Sequence, residues 1–244
     1  MTTRKIPLWV SPEHACGYLP GSVARFGCVA SQCDLSADRY QILLANGFRR
    51  SGNWVYRPLC RSCAACIPVR IPVTEFRETR AQRRILKKNA DLEVTAVPVT
   101  FREEHLRLYR RYLSARHPDA AMCSTNRDDY RAFIGSQWAH TYLFEFRTNI
   151  DLVGVAVVDQ VPEALSAVYT FFDPAAATRS PGVLAVLWQI REARRLGLKW
   201  VYLGYWIENC RKMVYKNQYR PLEALVGGVW RRFAKGETLV GGVL

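Results

Sequence analysis

The sequence predicts an α+β protein, a mixed sheet flanked by helices, with a cysteine-bearing lobe at its N-terminal end. Three observations lead there. Three strand-like runs between residues 141 and 172 follow one another across short connections, which implies antiparallel neighbours. A helical stripe enclosed by two strand-like runs comes next, forming a strand–helix–strand unit. The first 71 residues, broken by glycine and proline, carry six of the eight cysteines.

Composition narrows the classes. With 244 residues, 49% of them hydrophobic and 12% aromatic, the chain can bury a substantial core, which excludes a disordered protein. Thirty-five Lys and Arg against 21 Asp and Glu give a formal charge of +14, which favours a polyanionic partner through counterion release. A soluble basic protein without such a ligand is the alternative. No run has the apolar length of a membrane span, and Met1–Val10 lacks a signal-peptide core, so a cytosolic, reducing setting is expected. There the cysteines are free, metal-bound or catalytic rather than paired.

In chain order, residues 1–35 read as loop, interrupted by Pro7, Pro12, Gly17, Pro20, Gly21 and Gly27. Ser36 caps a short helix to Leu44, with Tyr40, Leu43 and Leu44 on its inner side and Asn46-Gly47 as the stop. Asn53–Tyr56 is extended and leads to Cys60, Cys63 and Cys66. Thiolates at this even spacing can face one centre, suiting zinc or an iron–sulfur cluster, with Cys16 as the fourth ligand; reduced, partly buried thiols are the alternative. Cys123 and Cys210 read as ordinary thiols.

From Arg49 to Lys88 there are 11 Lys and Arg against two acids, Glu75 and Glu78. A helix over Arg80–Asn89 would put Arg80, Arg83, Arg84 and Lys87 on one side. A soft boundary near Pro72 divides the chain into a lobe, 1–71, and a larger domain, 72–244. Thr100–Glu103 reads as a capping box opening a helix with Leu106, Tyr109, Tyr112 and Leu113 inward. A loop through His117-Pro118 and Cys123 precedes a helix expected over Arg127–Trp138, capped by Asn126. The three strand runs are Thr141–Arg147, Leu152–Asp159 and Leu165–Phe172. Pro181-Gly182 then opens a helix with Val183, Val186, Leu187, Ile190 and Ala193 in a stripe; Gly197 ends it, and Lys199–Tyr205 returns as a strand. This order of elements is that of acetyltransferase-like (GNAT-type) folds, an analogy of fold alone. The loop Asp173–Gly182 has one glycine, too few for the turn that cradles an acyl-CoA pyrophosphate, so another acyl donor is implied.

The segments CGYLPG, GFRRSG, VYRPLCRSCAACIPVRIPV, QRRILKKNADL, YTFFDP, LWQIREARRLGLKWVYLGYWI and CRKMVYKNQYRPLE resemble the bacterial aspartate/glutamate leucyltransferases, relatives of the arginyl-tRNA-protein transferases. The resemblance runs from about Cys16 to Glu223 and no single motif carries it. It implies an acetyltransferase-like catalytic domain that moves leucine from leucyl-tRNA to proteins beginning with Asp or Glu, marking them for degradation. An arginyl donor, an acyl-CoA-dependent N-acyltransferase and a non-enzymatic, metal-stapled tRNA-binding protein are the rivals.

Under that reading the ester is already activated, and no cofactor is required for the chemistry. Asp173 could accept from the incoming ammonium and relay its proton, or simply be the turn residue before Pro174. Tyr169 could donate to the oxyanion, or be a core tyrosine. Arg80 or Arg83 could clamp the acceptor's acidic side chain, with Lys87 beside them. A second basic run, Arg211, Lys212, Lys216 and Arg220, meets the tRNA acceptor end, with Tyr215 or Tyr219 to stack on a base. From Arg211 to Lys235 seven cations face one acid, although a solvated face would look the same.

Overall fold

The computed structural model of the protein describes residues 6–116 and 126–239. The N-terminal region carries short strands where loop was expected: β1 (Leu8–Val10), β2 (His14–Ala15), β3 (Val23–Ala24) and β4 (Phe26–Val29). Helix α1 (Ala37–Ala45) starts at Ser36, whose hydroxyl accepts from the Arg39 N–H, and buries Tyr40, Leu43 and Leu44 as its spacing predicts. Strands β5 (Arg49–Ser51) and β6 (Trp54–Pro58) complete a small antiparallel sheet in the order β1-β4-β6-β5.

The remaining strands form one large sheet. They are β7 (Ile67–Pro72), β8 (Glu93–Pro98), the meander β9 (His140–Arg147), β10 (Leu152–Val161) and β11 (Ala164–Phe172), then β12 (Trp200–Trp206), β13 (Leu222–Val226) and β14 (Val229–Phe233). Their order is β14-β13-β7-β12-β11-β10-β9-β8, and the β11–β12 pair is parallel while the other neighbours are antiparallel. The mixed sheet flanked by helices is therefore present. The expected boundary at Pro72 falls at the end of β7, which pairs with both β12 and β13.

Helices cover both faces. On one face, α2 (Arg80–Lys88) and α5 (Pro181–Arg195) close a core of Ile67, Val69, Ile71, Phe144, Leu165, Leu187, Ile190 and Leu203. On the other, α3 (Glu103–Arg116) and α4 (Arg127–Ile134) pack Leu106, Tyr109, Leu113 and Tyr130 on Val155, Val157 and Phe171. On the same side, α1 and the small sheet bury Tyr40, Leu44 and Val55 against Val161, Ala164 and Tyr202.

Helix starts and stops corrected the sequence reading in three places. Helix α3 begins at Glu103, not at a Thr100 cap; Glu103 and Glu104 instead place two carboxylates in its first turn, where the helix dipole favours them. The capping box belongs to α2, with Thr79 Oγ1 accepting from the Gln82 N–H and Gln82 Oε1 from the Thr79 N–H. Helix α4 stops at Ile134, because Gly135 takes an extended conformation; Trp138 lies beyond it and meets Tyr40 edge-on. The loop through His117-Pro118 and Cys123 lies outside the described residues.

Candidate functional site

Parallel β11 and β12 stay paired only from Ala164–Ser166 against Trp200–Tyr202. Beyond that point each strand carries an irregularity, β11 opposite Val157/Val158 and β12 between Tyr202 and Gly204. The strands consequently part at their C-terminal ends, and carbonyls that a ladder would satisfy need other donors. Two buried cations from elsewhere supply them. Arg49 on β5 donates from Nη1 to Ser166 Oγ at 3.0 Å and from Nη2 to the Ala167 carbonyl. Lys216, in a 3₁₀ turn at Val214–Gln218, donates to the Tyr205 carbonyl at 2.6 Å and to Met213 Sδ at 3.1 Å.

Gly204 makes the room for this. Its φ of +79° suits glycine, and a Cβ there would sit 3.0 Å from Arg49 Nε. Arg49 is 8% exposed and Lys216 only 6%. Burial, reinforced by the Arg49 charge, holds the Lys216 pKa down at about 7.

The expected catalytic pair stands at the open end of β11. The Asp173 carboxylate is held from two sides, accepting from the Ala175 N–H at 3.0 Å and pairing with Arg111 Nη2 of α3 at 3.0 Å. Tyr169 is half-buried in an aromatic set, 5.1 Å from Phe133, 6.1 Å from Tyr109 and 6.2 Å from Tyr112, ring centre to ring centre. Burial raises its phenol pKa, so the hydroxyl stays a proton donor. Tyr112 also touches Phe172 at 4.9 Å, and both Tyr112 and Arg49 act electrostatically on Tyr215. Tyr169, Tyr112 and Phe172 are thus ring neighbours beside Asp173, and the Arg49–Lys216 pair lies within electrostatic reach of this group through Tyr215.

Other expected residues lie elsewhere. Arg80, Arg83 and Lys87 are exposed on α2, Arg83 donating to the Glu78 carbonyl at 2.6 Å. The C-terminal end of α2 meets the loop after Asp173, where Lys88 donates to the Thr178 carbonyl and Asn89 to that of Arg179. Arg80 is a helix length away, roughly 12 Å. Lys212 and Tyr215 are exposed, but Lys216 is buried and unavailable to an outer phosphate chain. Arg220 braces the end of the chain through the carbonyls of Asn217, Phe233 and Glu237.

The four cysteines do come together. Cys16, Cys60, Cys63 and Cys66 line one cavity of about 270 Å³ with Tyr18, Leu19 and Phe26. Burial, then the thiols of Cys16, Cys60 and Cys63, push the Cys66 pKa up to about 12. The donor set has the softness of a zinc or iron–sulfur site. Among the described residues, no three Cys, His, Asp or Glu side chains are arranged to hold a metal ion, and the four thiols line the cavity.

Comparison with known proteins places this arrangement. Residues 14–84 match the family model for the N terminus of arginine-tRNA-protein transferase, and residues 104–226 match that for its C terminus. The chain belongs to the arginine-tRNA-protein transferase family. It is 49% identical over 228 residues to the aspartate/glutamate leucyltransferase of Alkalilimnicola ehrlichii, covering 93% of this chain and 95% of the relative. The protein of the same name from Alcanivorax borkumensis is 48% identical with 91% of each covered, and that from Halorhodospira halophila 46% identical with 95% and 99% covered. Arg49 falls in the N-terminal match and Lys216 in the C-terminal one, so the two buried cations come from both matched regions.

Arg49, Arg111 and Tyr112 were not singled out from the sequence. Arg49 sits in the Arg49-Arg50 doublet, where it counts as one more surface charge; Tyr112 reads as a core position on a helical stripe. No helix among the described residues is long and apolar enough to cross a membrane.

Proposed function

We propose that this protein transfers leucine from leucyl-tRNA to the N-terminal amine of proteins beginning with Asp or Glu, marking them for degradation. The observation that carries this is the end-to-end similarity to relatives of that name, at 46–49% identity over 91–95% of the chain. The site fits the chemistry. The α-amine attacks the ester carbonyl, a C–N bond forms, and the ribose hydroxyl leaves with a proton. The ester is already activated, so no cofactor is needed and the protein's task is alignment, worth roughly 7–11 kcal/mol, plus proton and charge management.

Asp173, fixed by Arg111 and the Ala175 amide, takes the proton shed by the attacking ammonium; Tyr169 donates to the oxygen that becomes negative. The exposed cations Arg80, Arg83, Lys87, Lys212 and Arg211 supply the charge for the tRNA. The meander and the strand–helix–strand unit support an acetyltransferase-like frame. The lobe expected over residues 1–71 lends the domain at 72–244 both Arg49 and, through Ile67–Ile71, most of strand β7 of its sheet. Cys16, Cys60, Cys63 and Cys66 form a redox-sensitive staple of that lobe; Cys63→Ser lowers thermal stability while the specific activity of the folded fraction is kept.

The deciding experiment supplies labelled leucyl-tRNA and arginyl-tRNA with peptides starting in Asp, Glu or Lys. Leucine goes to the Asp and Glu peptides only. Arginine transfer would reassign the donor, and tRNA binding with no peptide bond would make the protein a binding module. Asp173→Asn lowers kcat by about 100-fold or more with leucyl-tRNA affinity intact; near-normal transfer removes Asp173 from the mechanism.

A further inference from the structure

Among the described residues, four Lys and Arg side chains are buried: Arg49, Arg50, Arg70 and Lys216. Two have carboxylate partners, Arg50 with Asp159 at 2.6 Å and Arg70 with Glu223 at 2.7 Å. Arg49 and Lys216 have none among the described residues; their partners are a hydroxyl, two carbonyls and a thioether. Arg49 lies within electrostatic reach of Lys216 and of the phenols of Tyr18, Tyr56, Tyr205 and Tyr215, and Lys216 within reach of the thiols of Cys66 and Cys210. An uncompensated buried charge destabilises a fold by several kcal/mol, and a second cation within electrostatic reach adds to that. Such a pair is kept where an anion arrives to complete it.

We propose that Arg49 and Lys216 bind the side-chain carboxylate of the acceptor's N-terminal Asp or Glu, an assignment that rests on the transferase reading above. Three anions take part in that reaction. The phosphates of tRNA belong to a chain too bulky to reach cations that are 8% and 6% exposed. The oxyanion is transient and forms at the ester, where Tyr169 stands. The acceptor's carboxylate is small, permanent, and able to shed its water completely.

The donors fit a carboxylate. Arg49 directs only its Nη groups at protein acceptors, leaving Nε and further N–H hydrogens for the bidentate grip a guanidinium gives a carboxylate. Lys216 uses two of its protons on the protein and has one to give. Its flexible stem suits side chains that differ by one methylene. Tyr215 is within electrostatic reach of both Arg49 and Tyr112, and Tyr112 meets Tyr169 ring to ring at 6.2 Å; in the proposed complex a residue held by its side chain presents its amine towards the ester on that side. This moves the acidic clamp from the exposed Arg80 and Arg83 to the interior.

The test uses the full-length protein, peptides that begin with Asp, Glu, Asn or Gln, and the variants Lys216→Met and Arg49→Gln. Direct binding to wild type is measured first, by calorimetry without tRNA, and Asp- and Glu-starting peptides bind while Asn- and Gln-starting ones do not. In each variant the Kd for the acidic peptides, and their KM in leucyl transfer, rise about 100-fold or more, while the Kd for leucyl-tRNA stays within twofold of wild type.

Equal wild-type binding of acidic and amide peptides overturns the proposal, as does a Lys216→Met protein that binds acidic peptides normally or that loses leucyl-tRNA to the same extent. A fall in kcat with unchanged peptide KM assigns the pair to the oxyanion and also overturns it. If Arg49→Gln does not fold, Lys216→Met decides alone. If wild type transfers no leucine, the transferase reading fails, and the calorimetry still decides whether the pair recognises a carboxylate.

Discussion

Arg49 and Arg50 are neighbours on one short strand and have opposite electrostatic fates. Arg50 meets Asp159 through two bonds of 2.6 Å, with both side chains fully buried, and adds the carbonyls of Gly52, Ile134 and Gly135 and the hydroxyl of Thr141. That centre is charge-balanced and ties the N-terminal strand to β10 and to the end of α4. Arg49 turns into the gap between β11 and β12 and finds only neutral acceptors, with a second cation nearby. The first arrangement is a finished joint; the second is complete only with a ligand. A buried charge therefore says little about function until its partner is identified.

The largest expected effect breaks the balanced side. Arg50→Met leaves the Asp159 carboxylate buried without its cation, and unfolding in denaturant should show a loss of about 3–5 kcal/mol. Lys216→Met removes a charge that has no carboxylate, so its stability at pH 7 should equal or exceed that of wild type. Were the two losses alike, Lys216 would be structural and the contrast would fall. The pH dependence sharpens the same point. Lys216 titrates at about 7 in the folded protein and at its ordinary 10.5 when unfolded. Between those values the unfolded chain holds a proton that the folded chain lacks, so stability rises with pH across the window. The slope attributable to this one group approaches about 1.4 kcal/mol per pH unit. Melting curves of wild type minus Lys216→Met from pH 7 to 10 isolate it; a difference that stays flat would place Lys216 in solvent.

Much of the catalytic frame was legible. The meander shows in alternation, with Leu143, Val155 and Val157 facing one core and Phe144, Ala156 and Val158 the other. Helix α5 shows in its apolar stripe. Strand β7 did not, since a domain boundary was placed near Pro72, at its end; only Val69 and Arg70 face β13, so Pro68 and Pro72 sit where the strand has one neighbour, a place proline tolerates. The β13–β14 hairpin turns on Gly227-Gly228, a signal hidden by reading that stretch as a run of charge. At the site, Asp173 and Tyr169 were legible as candidates because they lie on, or just past the end of, one strand. Arg49 was not singled out, and Lys216 was assigned to an outer tRNA-binding run, since the two are 167 positions apart and each looks like a surface cation in its own segment. Burial, which separates the two meanings of a basic residue, is a property of the tertiary fold.

The smallest effect concerns the glycine that lets Arg49 enter the gap. At φ +79° an alanine at 204 is disfavoured by about 1–2 kcal/mol. Its methyl would also press on Arg49 at 3.0–3.4 Å. Gly204→Ala should therefore cost modest stability, and by displacing the guanidinium it should raise the KM of Asp- and Glu-starting peptides more than it changes affinity for leucyl-tRNA. Gly197, with φ +70° and nothing within 4 Å of an added methyl, is the control. Gly197→Ala carries the same backbone strain without touching Arg49, so it should match the stability loss and leave the peptide KM alone. If both variants raise the KM equally, the effect comes from softening the fold, and the position of Arg49 does not set acceptor recognition.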